Sequence, residues 1–178
     1  MKLVREHINE KFTNESDPIY DLGIGLPKMI KNWLDKYSIT NYTINSDMTI
    51  DVTGRIDFNG KLFEEKQFPD YIQFNKISGY FCVNWNDFHN MIGCPRIIEN
   101  SFYINGCVLT SLEGIPKKVG KTFWLSIASG FTKEDIQKVC DVQDVQFCVG
   151  YPENSIENLK KYYIDKTKRL KSKNGKIS

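Results

Sequence analysis

The chain has 178 residues, of which 40% are apolar, 26% charged and 13% aromatic, and its formal net charge is +2. That length and composition suit one globular domain with a sizeable core, and the charge argues neither for nor against a nucleic-acid partner. Five cysteines, an odd number with no Cys-x-x-Cys pair, fit reduced thiols in the cytoplasm, and no apolar run reaches the 18 or more residues of a membrane helix.

Residues 3–12 read as a short amphipathic helix with Leu3, Val4, Ile8 and Phe12 on one side. The segment is charged and does not look like a signal sequence, which again points to the cytoplasm. Asp17-Pro18 ends any helix, because the residue before proline avoids the helical region. A glycine-punctuated turn over residues 21–25 leads to a clearer helix over residues 26–37. Pro27 suits its first turn, and Met29, Ile30, Trp33, Leu34 and Tyr37 form an apolar stripe. This helix is expected to cover the first edge of the strands that follow.

Residues 42–44 and 49–52 alternate like strands around a turn at Asn45-Ser46-Asp47. Residues 55–58 follow Gly54 with Ile56 and Phe58 facing inward. They begin an irregular repeat, since Ile56 precedes its equivalent Phe81 by 25 residues, with an insertion of about four residues around positions 61–67.

Residues 74–125 hold three regular copies of one unit. Phe81, Phe102 and Phe123 lie 21 residues apart, as do Val83, Ile104 and Leu125, Ile77, Ile98 and Val119, and Phe74, Pro95 and Pro116. A fixed period of about 20 residues is the signature of a solenoid. Each copy opens with a short alternating strand. Asn86, just beyond the first of these strands, is placed to hydrogen-bond turn backbone, and Cys107 takes the same slot one copy later. Gly93-Cys94-Pro95 and Gly114-Ile115-Pro116 reset the chain for the next strand. The third copy loses its polar position near Ala128, as a terminal repeat does where a cap takes over.

Thr132 reads as the N-cap of a short helix with acidic residues in its first turn and with Ile136 and Val139 inside. Residues 141–149 read as a last strand carrying Val142, Val145 and Phe147. Asn154 or Ser155 starts a final helix with Ile156, Leu159 and Tyr163. From position 160 onward, eight basic residues face Asp165 alone. That makes +7 and leaves −5 for the rest of the chain, an acidic body with a basic end.

The repeat pattern resembles the leucine-rich repeat in its short form. The stretch NGCVLTSLEGIPKKVGKTF (residues 105–123) is most similar to a group of small leucine-rich-repeat proteins encoded by tailed bacteriophages. NEKFTNESDPIYDLGIG (residues 9–25) resembles a module that precedes such repeats. The resemblance spans roughly residues 1–140 and implies a fold, while leucine-rich repeats are scaffolds whose function lies in the site.

The expected fold is therefore α+β: a short leucine-rich-repeat-like solenoid sheet, three regular 21-residue repeats plus one irregular, with N- and C-terminal helices. One domain spans residues 1–178, divided into a helical N-terminal module (1–41), the repeat solenoid (42–131), a C-terminal cap and helix (132–171) and a basic tail (172–178).

Little in the chain carries catalytic chemistry. His7 and His89 lack cysteine or carboxylate partners at metal-ligand spacing. No phosphate-binding loop is complete, since residues 119–123 lack its first glycine. No base accompanies Cys82, which faces outward by its phase. The expectation is a non-catalytic protein with no cofactor and no metal. If the repeat phenylalanines point inward, the outward rows are Cys82, Tyr103 and Trp124; Tyr80, Ser101 and Thr122; and Asn84, Asn105 and Ser126. Tyr80, Cys82, Asn84, Tyr103, Asn105, Thr122 and Trp124 form the candidate partner-binding face, because aromatic anchors dominate interface energetics. The competing expectation is that a terminal helix covers this row. By the phage resemblance the partner is a host or virion protein, a host defence component among them. One alternative is nucleic-acid binding through Lys160, Lys161, Lys166, Lys168, Arg169, Lys171 and Lys173, beside Tyr162 and Tyr163. Another is a structural virion component.

Overall fold

A computed structural model of the chain describes residues 25–62, 65–107 and 109–148. The expected helices over residues 3–12 and beyond residue 154, and the basic tail, lie outside the described residues.

Helix α1 (Leu26–Lys36) starts with Pro27 in its first turn and buries Ile30, Trp33 and Leu34, while Met29 is only partly covered. Strands β1 (Tyr42–Ile44) and β2 (Ile50–Val52) pair antiparallel. Their turn is tied by Asp47, whose Oδ1 accepts from the Thr49 N–H at 3.1 Å and from its hydroxyl at 2.6 Å. Those two bonds hold the Asp47 carboxyl below the usual carboxylate range. Next come β3 (Ile56–Asp57), β4 (Phe74–Ile77), β5 (Phe81–Cys82), β6 (Ile97–Ile98), β7 (Phe102–Ile104), β8 (Lys118–Val119) and β9 (Thr122–Ser126). A 3₁₀ turn (Ile127–Ser129), helix α2 (Lys133–Val139) and strand β10 (Asp144–Cys148) complete the described chain.

The fold is α+β, with two helices and two mostly parallel five-stranded sheets among the described residues. One sheet runs β1-β2-β4-β6-β8 and the other β10-β9-β7-β5-β3, so from β2 to β9 the chain alternates between them. The 21-residue spacing is the pairing register itself. Phe81 pairs with Phe102 and Phe102 with Phe123, while Ile77 pairs with Ile98 and Ile98 with Val119. Ile56 pairs with Phe81 across the longer 25-residue step.

One core fills the space between the sheets. Phe58, Phe81, Phe102 and Phe123 form a column, with successive ring centroids 5.9, 5.9 and 4.9 Å apart. That step follows the strand spacing of about 4.8 Å. Helix α1 closes the β3 end of the column, its Trp33 ring 5.5 Å from Phe58, 6.1 Å from Phe68 and 6.3 Å from Phe74. The insertion near residues 61–67 is followed directly by a core residue. Phe68 is buried and touches Trp33, Phe58, Phe74, Phe81 and Phe88.

Asn86 is 2% exposed and makes the expected backbone bonds. Its Nδ2 donates to the carbonyls of Phe58 (3.1 Å), Val83 (2.8 Å) and Asn84 (3.2 Å), and its Oδ1 accepts from the Leu62 N–H at 2.8 Å. The buried Cys107 donates its thiol to the Val83 carbonyl at 3.1 Å. Gly114, at φ +77°, lies so close to the preceding coil that a Cβ would fall 2.3 Å from the backbone of Met91 and Ile92. At α2, Thr132 and Asp135 form a reciprocal capping box and Ile136 is buried. Val139, expected inside, is 39% exposed, because the seven-residue helix ends there and turns only Ile136 onto the core.

Candidate functional site

The outer face of the sheet that contains β9 is set by parity. With Phe81, Phe102 and Phe123 inside, their neighbours in sequence point outward. The pairing aligns Asp57, Cys82, Tyr103, Trp124 and Gln146 in one row across five strands. Tyr103 and Trp124 are partly exposed and stacked, with an interplanar angle of 12° and centroids 6.3 Å apart. Tyr80 meets Tyr103 edge-on at 5.9 Å, and the Arg55 guanidinium lies 5.8 Å from the Tyr80 ring centre. The result is an aromatic strip across β5, β7 and β9 with a cation at one end.

Polar groups flank the strip. Asn84 Oδ1 accepts from the Asn105 N–H at 2.7 Å. Asn105 Oδ1 is buried and has no partner among the described residues. On the other side, Thr122 donates its hydroxyl to Asp144 Oδ2 at 3.0 Å, and Ser101 Oγ accepts from the Thr122 N–H at 3.4 Å.

The structure brings Tyr80, Asn84, Tyr103, Asn105, Thr122 and Trp124 onto one face. It corrects Cys82, which lies in the row but is only 6% exposed, wedged between Asp57 and Tyr103. Burial pushes its thiol up to about 11, opposed in part by an Asn84 backbone hydrogen bond, so it is neutral at physiological pH and offers almost no contact surface. Ser101 and Ser126, expected in the outward rows, are likewise buried. Ser126 Oγ accepts from the Ala128 N–H at 3.4 Å and caps the 3₁₀ turn in place of the missing repeat polar residue. Helix α1 packs on the core and not on this strip. The reading of sites missed Arg55, Asp144 and Gln146. Arg55 and Asp144 fall in the irregular first copy and after the last, where the period gives no alignment. The basic candidates from Lys160 to Lys173 lie outside the described residues.

The outer surface of the other sheet differs. Lys76 pairs with Glu99 at 2.6 Å, Lys118 with Asp141 at 3.4 Å, and Asn75 bonds Asp51. Such exposed pairs contribute little and describe a solvated charged surface. Among the described residues no group of three or more His, Cys, Asp or Glu side chains could hold a metal ion, and no helix is long and apolar enough to cross a membrane.

Comparison with models of known protein families, with curated proteins and with solved structures gives no significant match.

Proposed function

We propose that this protein is a short leucine-rich-repeat-like solenoid that acts as a non-catalytic protein-binding scaffold. The alternation of the chain between two parallel sheets, with 21-residue register in both, supports the solenoid reading. The observation that carries the binding reading is the partly exposed Tyr80–Tyr103–Trp124 strip on one sheet, set against the ion-paired surface of the other. Stiff aromatic side chains give large contact area for little lost entropy, and a face that buries them is where affinity concentrates.

The resemblance of residues 105–123 to phage-encoded repeats supports a partner in the infected host or in the virion, met in the host cytoplasm. Inhibition of a host defence protein fits that setting. The decisive experiment captures partners from host lysate with nuclease and high salt present, using the wild type and a Tyr103→Ala, Trp124→Ala double variant. One stoichiometric protein, retained by the wild type and lost by a double variant whose circular dichroism is unchanged, is the expected result. Equal retention by both proteins removes the aromatic strip as the binding face.

A further inference from the structure

The two sheets do not end level. At the α1 end, one sheet carries β1 beyond β2, paired antiparallel, while the other stops at β3. Where its next strand would lie there is a groove of about 350 Å³. Tyr37, Ile39, Asn41, Arg55, Asp57 and Lys61 are among the residues that line it.

The groove exposes a strand edge. The Ile56, Phe58 and Gly60 N–H groups all donate to β5 and its continuation, at the carbonyls of Tyr80, Cys82 and Asn84. In a strand, alternate residues direct their backbone groups to opposite sides. The N–H and C=O groups of Arg55 and Asp57 therefore face the groove, and among the described residues no strand pairs with that side of β3. The Lys61 ammonium donates to the Asp57 carbonyl at 2.7 Å and is 4 residues away on a mobile stem, so it guards the edge without closing it.

We propose that this groove is a β-augmentation site that takes an extended peptide as the next strand beyond β3. The occupant is a partner's segment of alternating character. Its inward residues are apolar and rest on Tyr37 and Ile39, and an outward acidic residue stands opposite Arg55 and near Lys61. Charge complementarity selects the acid, because the groove's side chains include two cations against Asp57 alone. Main-chain bonds to Arg55 and Asp57 supply the affinity, and the alternation supplies the selectivity. The site shares Arg55 with the end of the aromatic strip, but its strand edge does not rest on the strip.

The test pans a library of random linear peptides against the full chain and synthesises those enriched. The expected peptides alternate apolar and polar residues and carry an acid. Their binding weakens at least about tenfold when alternate peptide nitrogens on the strand-pairing side are methylated, and by a similar factor for Asp57→Pro, whose N–H points away from β5. Arg55→Glu disfavours acid-bearing peptides, and Tyr103→Ala with Trp124→Ala leaves them bound. Amide exchange of the free protein is the control: Arg55 and Asp57 exchange fast and Phe58 slowly. Failure to enrich any peptide, indifference to N-methylation, or slow exchange at Arg55 and Asp57 before any peptide is added each overturns the proposal.

Discussion

Asn86 shows what one buried side chain does for a turn. It joins three carbonyls and the Leu62 N–H across two successive coils while buried. Asn86→Ala strands the buried Leu62 N–H, while the Phe58, Val83 and Asn84 carbonyls keep the Lys61 N–H, the Cys107 thiol and the Gly60 N–H. An unmet buried N–H costs about 1–3 kcal/mol, so the variant should lose about that much, read as a lower urea midpoint at unchanged m-value. Cys107 holds the same slot with one weak bond, and burial pushes its thiol from 9.0 up to about 12. The neutral thiol is the form the fold accepts, so the unfolded chain binds fewer protons above its own pKa. This contribution to stability is complete below pH 9 and is lost as pH rises from 9 towards 12. Between pH 8 and pH 10 the wild type should lose about 1 kcal/mol more than Cys107→Ser in urea unfolding. Equal losses would show that Cys107 does not titrate on unfolding. The sequence revealed the Asn86 role, because a polar residue inside an apolar repeat must bond backbone. It misplaced the Cys82 side chain, because phase gives the direction of a side chain but not what its neighbours cover.

At the scale of elements, the strands are short, and turn geometry does as much as strand propensity to hold them in register. Gly114 and Gly130 have similar φ, +77° and +72°, and opposite surroundings. A Cβ on Gly130 meets nothing within 4 Å, so Gly130→Ala bears only the left-handed backbone cost of about 1 kcal/mol. On Gly114 it strikes the backbone of Met91 and Ile92, which cannot move without shifting the coil beneath. Gly114→Ala should cost at least about 2 kcal/mol more than Gly130→Ala in the same denaturation assay. Similar costs for the two would mean the coils are not held at this spacing. The glycine-proline resets were legible because both residues recur at the repeat step. The β1–β2 hairpin and helix α1 were legible from alternation, the Asn-Ser-Asp turn and an apolar stripe. The inner face of α2 was only half legible, because a helix of seven residues ends before its second apolar position turns inward.

Across the whole molecule, each strand of the two sheets pairs only with its neighbours, so the ends need something that ties them to the middle. Phe68 meets that need at the α1 end. Its ring lies 6.1 Å from Trp33 in the helix and 5.9 Å from Phe58 in the first coil. It also sits 6.1 Å from Phe81 and 5.0 Å from Phe88 in the next coil. No period predicts it, since it follows an insertion that only the irregular copy carries. An insertion in a repeat reads as a surface loop until its far end proves to fill the core. Phe68→Ala should cost about 3–5 kcal/mol, the range for deleting a buried aromatic ring. The loss should also be uneven. Amide exchange should accelerate first at Ile30, Trp33 and Leu34, while β7 and β9, farther along the phenylalanine column, keep their protection. Phe123→Ala, at the other end of the phenylalanine column, should give the reverse order. If both variants raise exchange uniformly, the molecule unfolds as one unit, and Phe68 is an ordinary core residue with no special part in holding α1 to the coils.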